Sequence, residues 1–219
     1  MADGNRRGAD GSGWELGSDS FLTRKEVFKL RSWLIGRRNV SGDDREAWLA
    51  WFIVELGLNS GLRVAEMASL ICGDIRLRDE LSTIIVRNGK GGKYREVRIN
   101  NSFQKSVKDF LSWKIRSGEP SECDNFLPRS PRTGVQYTTR SLQLVFKRSL
   151  EYADIPTHHS IHHLRHTYAS LLYSASDYNL RLVQKQLGHT SPNTTQVYAN
   201  VFGPDIEKAI EGLMKFTNK

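Results

Sequence analysis

Residues 74–99 break the pattern of the rest of the chain. Ser82–Arg87 is rich in β-branched residues, and Tyr94–Ile99 alternates. That period of two suits a strand with one buried face. Between the two runs lies Asn88-Gly-Lys-Gly-Gly-Lys93, a glycine-rich turn. The segment predicts a β-hairpin, with a short strand before it near Asp74–Leu77. Elsewhere apolar residues recur at helical spacing. Thr23 and Glu26 form a capping-box pattern ahead of Val27, Leu30 and Leu34, so a first helix is expected from there to Gly36. A second runs through Trp48, Trp51, Phe52, Val54 and Glu55 to about Leu58. Ser60–Leu70 reads as a turn and a short helix, with Leu62, Ala65, Met67 and Leu70 as its core contacts. Further helices are expected over 102–117, 139–152, 160–174, 179–188, 192–201 and 204–216, with a loop marked by Pro120, Pro128 and Pro131. The fold class is α+β, mainly helical, with one small antiparallel sheet.

The chain has 219 residues, enough to bury a sizeable core. Residues 1–20 are rich in Gly, Ser and Asp and lack apolar periodicity. They are expected to form a disordered tail, leaving one domain over 21–219. The two cysteines, Cys72 and Cys123, suggest neither a disulfide framework nor a zinc site, which points to a reducing, cytoplasmic setting. No apolar run approaches the roughly 20 residues of a membrane span, and the first residues contain no signal-like apolar region. Net charge is +8. That balance favours a polyanionic partner, nucleic acid before membrane.

Five of the six histidines lie in Thr-His158-His-Ser-Ile-His-His-Leu-Arg-His166. His162 and His166 stand four apart, which suits two metal ligands on one helix face. The zinc-protease pattern, however, needs Glu where His163 stands, and no Cys or carboxylate pair lies nearby to complete a site. His162 and Arg165 are three apart and share a face. Such a pair can grip a phosphate, the Arg through its planar fork, with Ser160 as the helix cap and the helix's positive end adding to the pull. The alternative is a solvated basic face. Asn88–Lys93 fails as a phosphate-cradling P-loop, because Gly91 follows Lys90 and the flanks are two strands. It leaves a lysine on a hairpin tip. In Leu187-Gly188-His189, Gly188 reads as a helix stop and Pro192 as a first-turn residue of the next helix, which carries Tyr198. A lone Tyr, with a pKa of roughly 10, is unreactive unless cations surround it.

Taken together, Ser60-Gly-Leu-Arg63-Val-Ala-Glu66, Gly89-Lys90-Gly91, His162-His-Leu-Arg165-His, Leu187-Gly-His189 and Tyr198 occur in this order. Tyr198 stands nine residues after His189. The set resembles the catalytic domain of the tyrosine recombinases, the phage integrase family, in its Xer-type spacing. The resemblance covers about residues 20–216. It implies that Arg63, His162 and Arg165 hold the scissile DNA phosphate, that Lys90 is the general acid, with Lys93 the lesser alternative, and that His189 bonds the phosphate. Tyr198 would be the nucleophile, with Glu66 supporting the site.

The implied reaction is attack by Tyr198 on a phosphodiester, giving a 3′-phosphotyrosine and a free 5′-hydroxyl. A 5′-hydroxyl of the partner strand then reverses it. Arg63 and Arg165 would stabilise the charge on the non-bridging oxygens, His162 would accept the Tyr198 proton, and no cofactor or metal would be needed. The implied partners are double-stranded DNA and further copies of the chain, in a dimer or tetramer. Arg37, Arg38, Arg140, Lys147 and Arg148 are candidates for backbone phosphate contacts. Most family members carry a separate core-binding domain ahead of this one, for which residues 1–20 are too short. A relaxing activity of the type IB topoisomerase kind uses the same chemistry, and a non-catalytic DNA-binding regulator is the reading from another class.

Overall fold

The computed structural model describes residues 19–89 and 92–188. Among the described residues seven helices and three short strands follow one another: α1 (Arg24–Val40), α2 (Arg45–Ser60), α3 (Val64–Ser69), β1 (Ile75–Arg76), β2 (Ser82–Val86), β3 (Arg95–Ile99), α4 (Asn101–Arg116), α5 (Thr139–Tyr152), α6 (Ile161–Ala175) and α7 (Leu180–Leu187). A single 3₁₀ turn, Cys72–Asp74, leads into β1. The strands form one antiparallel sheet in the order β1-β2-β3, with Ile84 opposite Val97 in the hairpin. The α+β expectation and the hairpin are therefore borne out. The expected tail and the helices over 192–201 and 204–216 lie outside the described residues.

Helix α2 is the centre of the molecule. From Ala47 to Leu58 every residue is buried, so its sequence is apolar on all faces and carries no one-sided stripe. Helices α1, α4, α5 and α6 pack around it. Helix α4 meets it with Phe103, Val107, Phe110 and Trp113, spaced to share one face. The Phe52 and Phe110 rings stack with centroids 3.9 Å apart. Burying each such ring contributes roughly 2–3 kcal/mol. Glu55 carries a charge into this core: it is 2% exposed and takes two hydrogen bonds from Arg31, at 2.7 and 3.0 Å. A buried carboxylate is tolerated only with such a partner.

Two expectations are corrected. Helix α1 does not end at Gly36 but runs on to Val40. Its last turn is held by Arg38, whose guanidinium lies 4.1 Å from the Trp51 ring centre, and by Arg37, packed over Trp33. The stop comes at Ser41–Gly42, where Gly42 takes φ +62°. In α3, Ala65 is exposed and Ala68 is buried instead, because this one-and-a-half-turn helix turns Glu66, Met67 and Ala68 inward. Helix α5 has the expected bounds. A second, smaller apolar cluster of Ala169, Tyr173, Val183 and Leu187 joins α6 to α7. Both cysteines are free. No helix of the described residues is long and apolar enough to cross a membrane.

Candidate active site

The turn after α2 sets the geometry. Gly61 ends the helix at φ +60° and ψ 26°, a conformation that side chains rarely adopt. An added Cβ there would also collide with the Tyr168 ring and sit 2.8 Å from Leu187. Two residues on, Arg63 is extended and opens α3 as its N-cap. Glu66, at the third helical position, closes a capping box by accepting the Arg63 backbone N–H at 2.9 Å. Its Oε1 also accepts from Arg63 Nη1 at 2.8 Å.

Arg165 reaches the same junction from α6. It is 2% exposed. Its Nη1 donates to the carbonyl oxygen of Gly61, and its Nη2 donates to that of Leu187 at 2.9 Å. One side chain therefore holds together the turn before Arg63 and the end of α7. Helix α7 stops where expected, at Gly188 in the left-handed conformation (φ 66°, ψ 42°). His189 and Tyr198 lie outside the described residues.

His162 is exposed on α6, one turn ahead of Arg165 and edge-on to His166, with ring centres 4.7 Å apart. The His163 ring lies next to this pair, 6.3 Å from that of His166. His159 is buried and meets His163 at 3.1 Å between Nδ1 atoms, and its Nε2 lies 3.4 Å from Glu26. Burial, then the charges of the neighbouring histidines, push the His163 pKa down to about 4. Among the described residues no group of three or more His, Cys, Asp or Glu side chains could hold a metal ion. Ser160 occupies the N-cap of α6, but its hydroxyl makes no capping bond. The His163 amide it would have served is taken by the Ser160 carbonyl oxygen at 2.9 Å.

The hairpin tip is closed by Gly89 N–H to the Lys93 carbonyl at 2.9 Å and by Gly92 N–H to that of Gly89 at 2.9 Å. Lys90 lies outside the described residues, and Lys93 is exposed. Of the basic residues considered for phosphate contact, Arg140 and Lys147 are exposed on α5. Arg37, Arg38 and Arg148 instead pair at 3.6–3.8 Å with Asp44, Asp109 and Glu46 respectively.

Sequence reasoning missed Arg95. It donates Nη1 to Glu66 Oε1 at 2.8 Å and Nη2 to Oε2 at 2.7 Å. Burial alone would raise the Glu66 pKa. The bonds from Arg95 and the Arg63 backbone, with the charges of both arginines, outweigh it and hold the pKa at about 2. A signal was present. Arg95 shares the face of β3 with the buried Val97 and Ile99, where a charge needs a partner.

The sequence profile described as "Phage integrase family" matches residues 30–203. The chain belongs to the phage integrase family. Within this family it is 32% identical to tyrosine recombinase XerC of Caldanaerobacter subterraneus subsp. tengcongensis over 191 residues, 87% of this chain and 50% of that one. It is 35% identical to XerC of Vibrio vulnificus over 167 residues, 74% of this chain and 49% of the other. Its fold matches the XerH site-specific recombinase bound to its difH substrate, with a TM-score of 0.70 and 24% identity, over 91% of this chain and 54% of that one. This member of the integrase family thus spans about half the length of the relatives it matches.

Proposed function

We propose that the chain is the catalytic part of a site-specific DNA recombinase, which cuts and rejoins double-stranded DNA through a 3′-phosphotyrosine. One observation carries the reading. Three motifs far apart in sequence converge at one junction, where Arg165 bonds the carbonyls of Gly61 and Leu187, each two residues from a motif residue, Arg63 and His189. Resemblance to the Xer proteins and to a recombinase bound to DNA supports the same reading.

In this reading Arg63 and Arg165 supply positive charge to the non-bridging oxygens as the phosphate becomes pentacoordinate. Their rigid anchorage matters, because donors already in place need no reorganisation at the moment of reaction. His162, exposed beside Arg165, takes the proton of Tyr198 as its oxygen attacks phosphorus. Lys90, on the hairpin tip, returns a proton to the leaving 5′-oxygen, and His189 bonds the phosphate. Rejoining is the same sequence run backwards with a 5′-hydroxyl from another strand. Strand exchange needs several active sites, so the chain acts as a dimer or tetramer on DNA, in the cytoplasm of a bacterium.

Tyr168 and Tyr173 are poor nucleophiles. Burial raises the Tyr168 pKa, and its hydroxyl accepts a bond from Gln186 at 3.0 Å. Tyr173 is 4% exposed. The test uses a pool of nicked duplexes of randomised sequence, incubated with the chain. Covalent complexes are recovered, the trapped duplexes sequenced and the linked residue mapped. Wild type should trap a defined sequence through Tyr198, and Tyr198→Phe should bind that duplex but trap none. Linkage through Tyr168 or Tyr173, or trapping by Tyr198→Phe, overturns the assignment.

A further inference from the structure

The Glu66 carboxylate receives four hydrogen bonds, two from Arg63 and two from Arg95. Three charged groups therefore meet around the buried Glu66 carboxylate, with a net charge of one positive. Only one side-chain donor of Arg63, Nη1, is spent on the carboxylate, whereas Arg95 grips it with two prongs. Glu66 fixes Arg95 in turn, for the buried Arg95 Nε has no hydrogen-bond partner among the described residues. The Arg95 stem also crosses the end of α7: a Cβ on Gly188 would stand 2.5 Å from Arg95 Cδ.

We propose that Arg95 is a positioning residue that keeps Arg63 available to the scissile phosphate. An arginine and a glutamate three residues apart on one helix end, left alone, close into a neutral two-pronged pair. The carboxylate then cancels the charge that the reaction needs. By occupying both oxygens, Arg95 satisfies Glu66 and leaves Arg63 its charge and its other donors. The inference rests on the recombinase reading above.

The test measures single-turnover cleavage of the duplex recovered by trapping, in two forms. One carries the natural phosphodiester; the other carries a methylphosphonate at the scissile position, which removes a non-bridging charge. Arg95→Ala should slow cleavage of the natural duplex about a hundredfold, the scale of one lost charge-stabilising donor. Affinity for the duplex should stay close to wild type, and the loss on the methylphosphonate should be only a few-fold, because less charge has to be met. Adding Glu66→Gln to Arg95→Ala should restore part of the lost rate, since no carboxylate then competes for Arg63. Arg95→Lys keeps the charge without the two-pronged geometry, should fall between, and carries the comparison if Arg95→Ala fails to fold. Equal slowing on both duplexes, or a double variant no faster than Arg95→Ala, overturns the proposal in favour of a purely structural role. So does a wild-type rate for Arg95→Ala. If the wild-type chain traps no duplex at all, the recombinase reading itself fails and the inference fails with it.

Discussion

Arg165 donates a hydrogen bond to the carbonyl oxygen of Gly61, 104 residues earlier in the chain. The bond fastens the end of the buried helix α2 to the helix that carries His162. It requires the chain to turn sharply at Gly61 while Tyr168 and Leu187 lie against the backbone.

Gly61→Ala should therefore be costly. The left-handed conformation costs a β-carbon about 1–2 kcal/mol, and overpacking against Tyr168 and Leu187 adds a similar amount. Gly36 is the control: it is helical, exposed and open, so Gly36→Ala should stabilise by about 0.5–1 kcal/mol. Urea denaturation midpoints check both, and a neutral Gly61→Ala would contradict the crowded turn.

Glu66 makes stability depend on acid. Its folded pKa, about 2, lies below the ordinary 4.5. The stabilisation is therefore complete above pH 4.5 and lost as pH falls through about 2, with a size on the order of 3 kcal/mol. The stability gap between wild type and Glu66→Gln should narrow over that window when unfolding is followed at a series of pH values. A gap independent of pH would show that the carboxylate charge is not what matters.

His163 behaves the same way at a higher pH. Its folded pKa is depressed to about 4 from 6.5, so the fold favours the neutral ring. Stability tied to His163 is present above pH 6.5 and is lost as pH falls through about 4. His163→Gln should flatten that part of the stability profile. In an NMR titration the His163 ring should move with a midpoint near 4, and a midpoint at 6.5 would contradict its burial.

Cleavage should proceed in EDTA, because guanidinium and ammonium groups are proposed to meet the phosphate charge. The measure is the yield of covalent complex on the trapped duplex with and without chelator. Activity lost to EDTA and restored by a divalent ion would count against that division of labour.

Period and capping made most of this fold legible. Helix α5 carries a clear apolar stripe of Leu142, Phe146 and Leu150, and its expected span agrees with the structure. The end of α1 was harder to read, because what extends it past Gly36 is packing of Arg37 and Arg38 on tryptophans distant in sequence. Ala65 was misplaced because six residues are too few for helical spacing to fix a face. At the site, Arg63, Glu66 and Arg165 were readable from their motifs, and the structure brings them to neighbouring positions. Arg95 was not singled out, since its meaning depends on a partner 29 residues earlier. Lys90, His189 and Tyr198 lie outside the described residues.

The two apolar clusters differ greatly in size, and that difference sets an order of opening. Amides of α2, enclosed on every side, should exchange with solvent only when the whole domain unfolds. Helix α7 is attached through a few side chains, the Arg165–Leu187 bond, and the Gln186 side-chain amide donating to the Arg98 carbonyl at 2.6 Å. Its amides should exchange by a cheaper, separate release. Helix α7 is thus joined to the rigid centre by the weaker of the two clusters, so it can part from α6 and β3 and return while α2 and the helices around it stay packed.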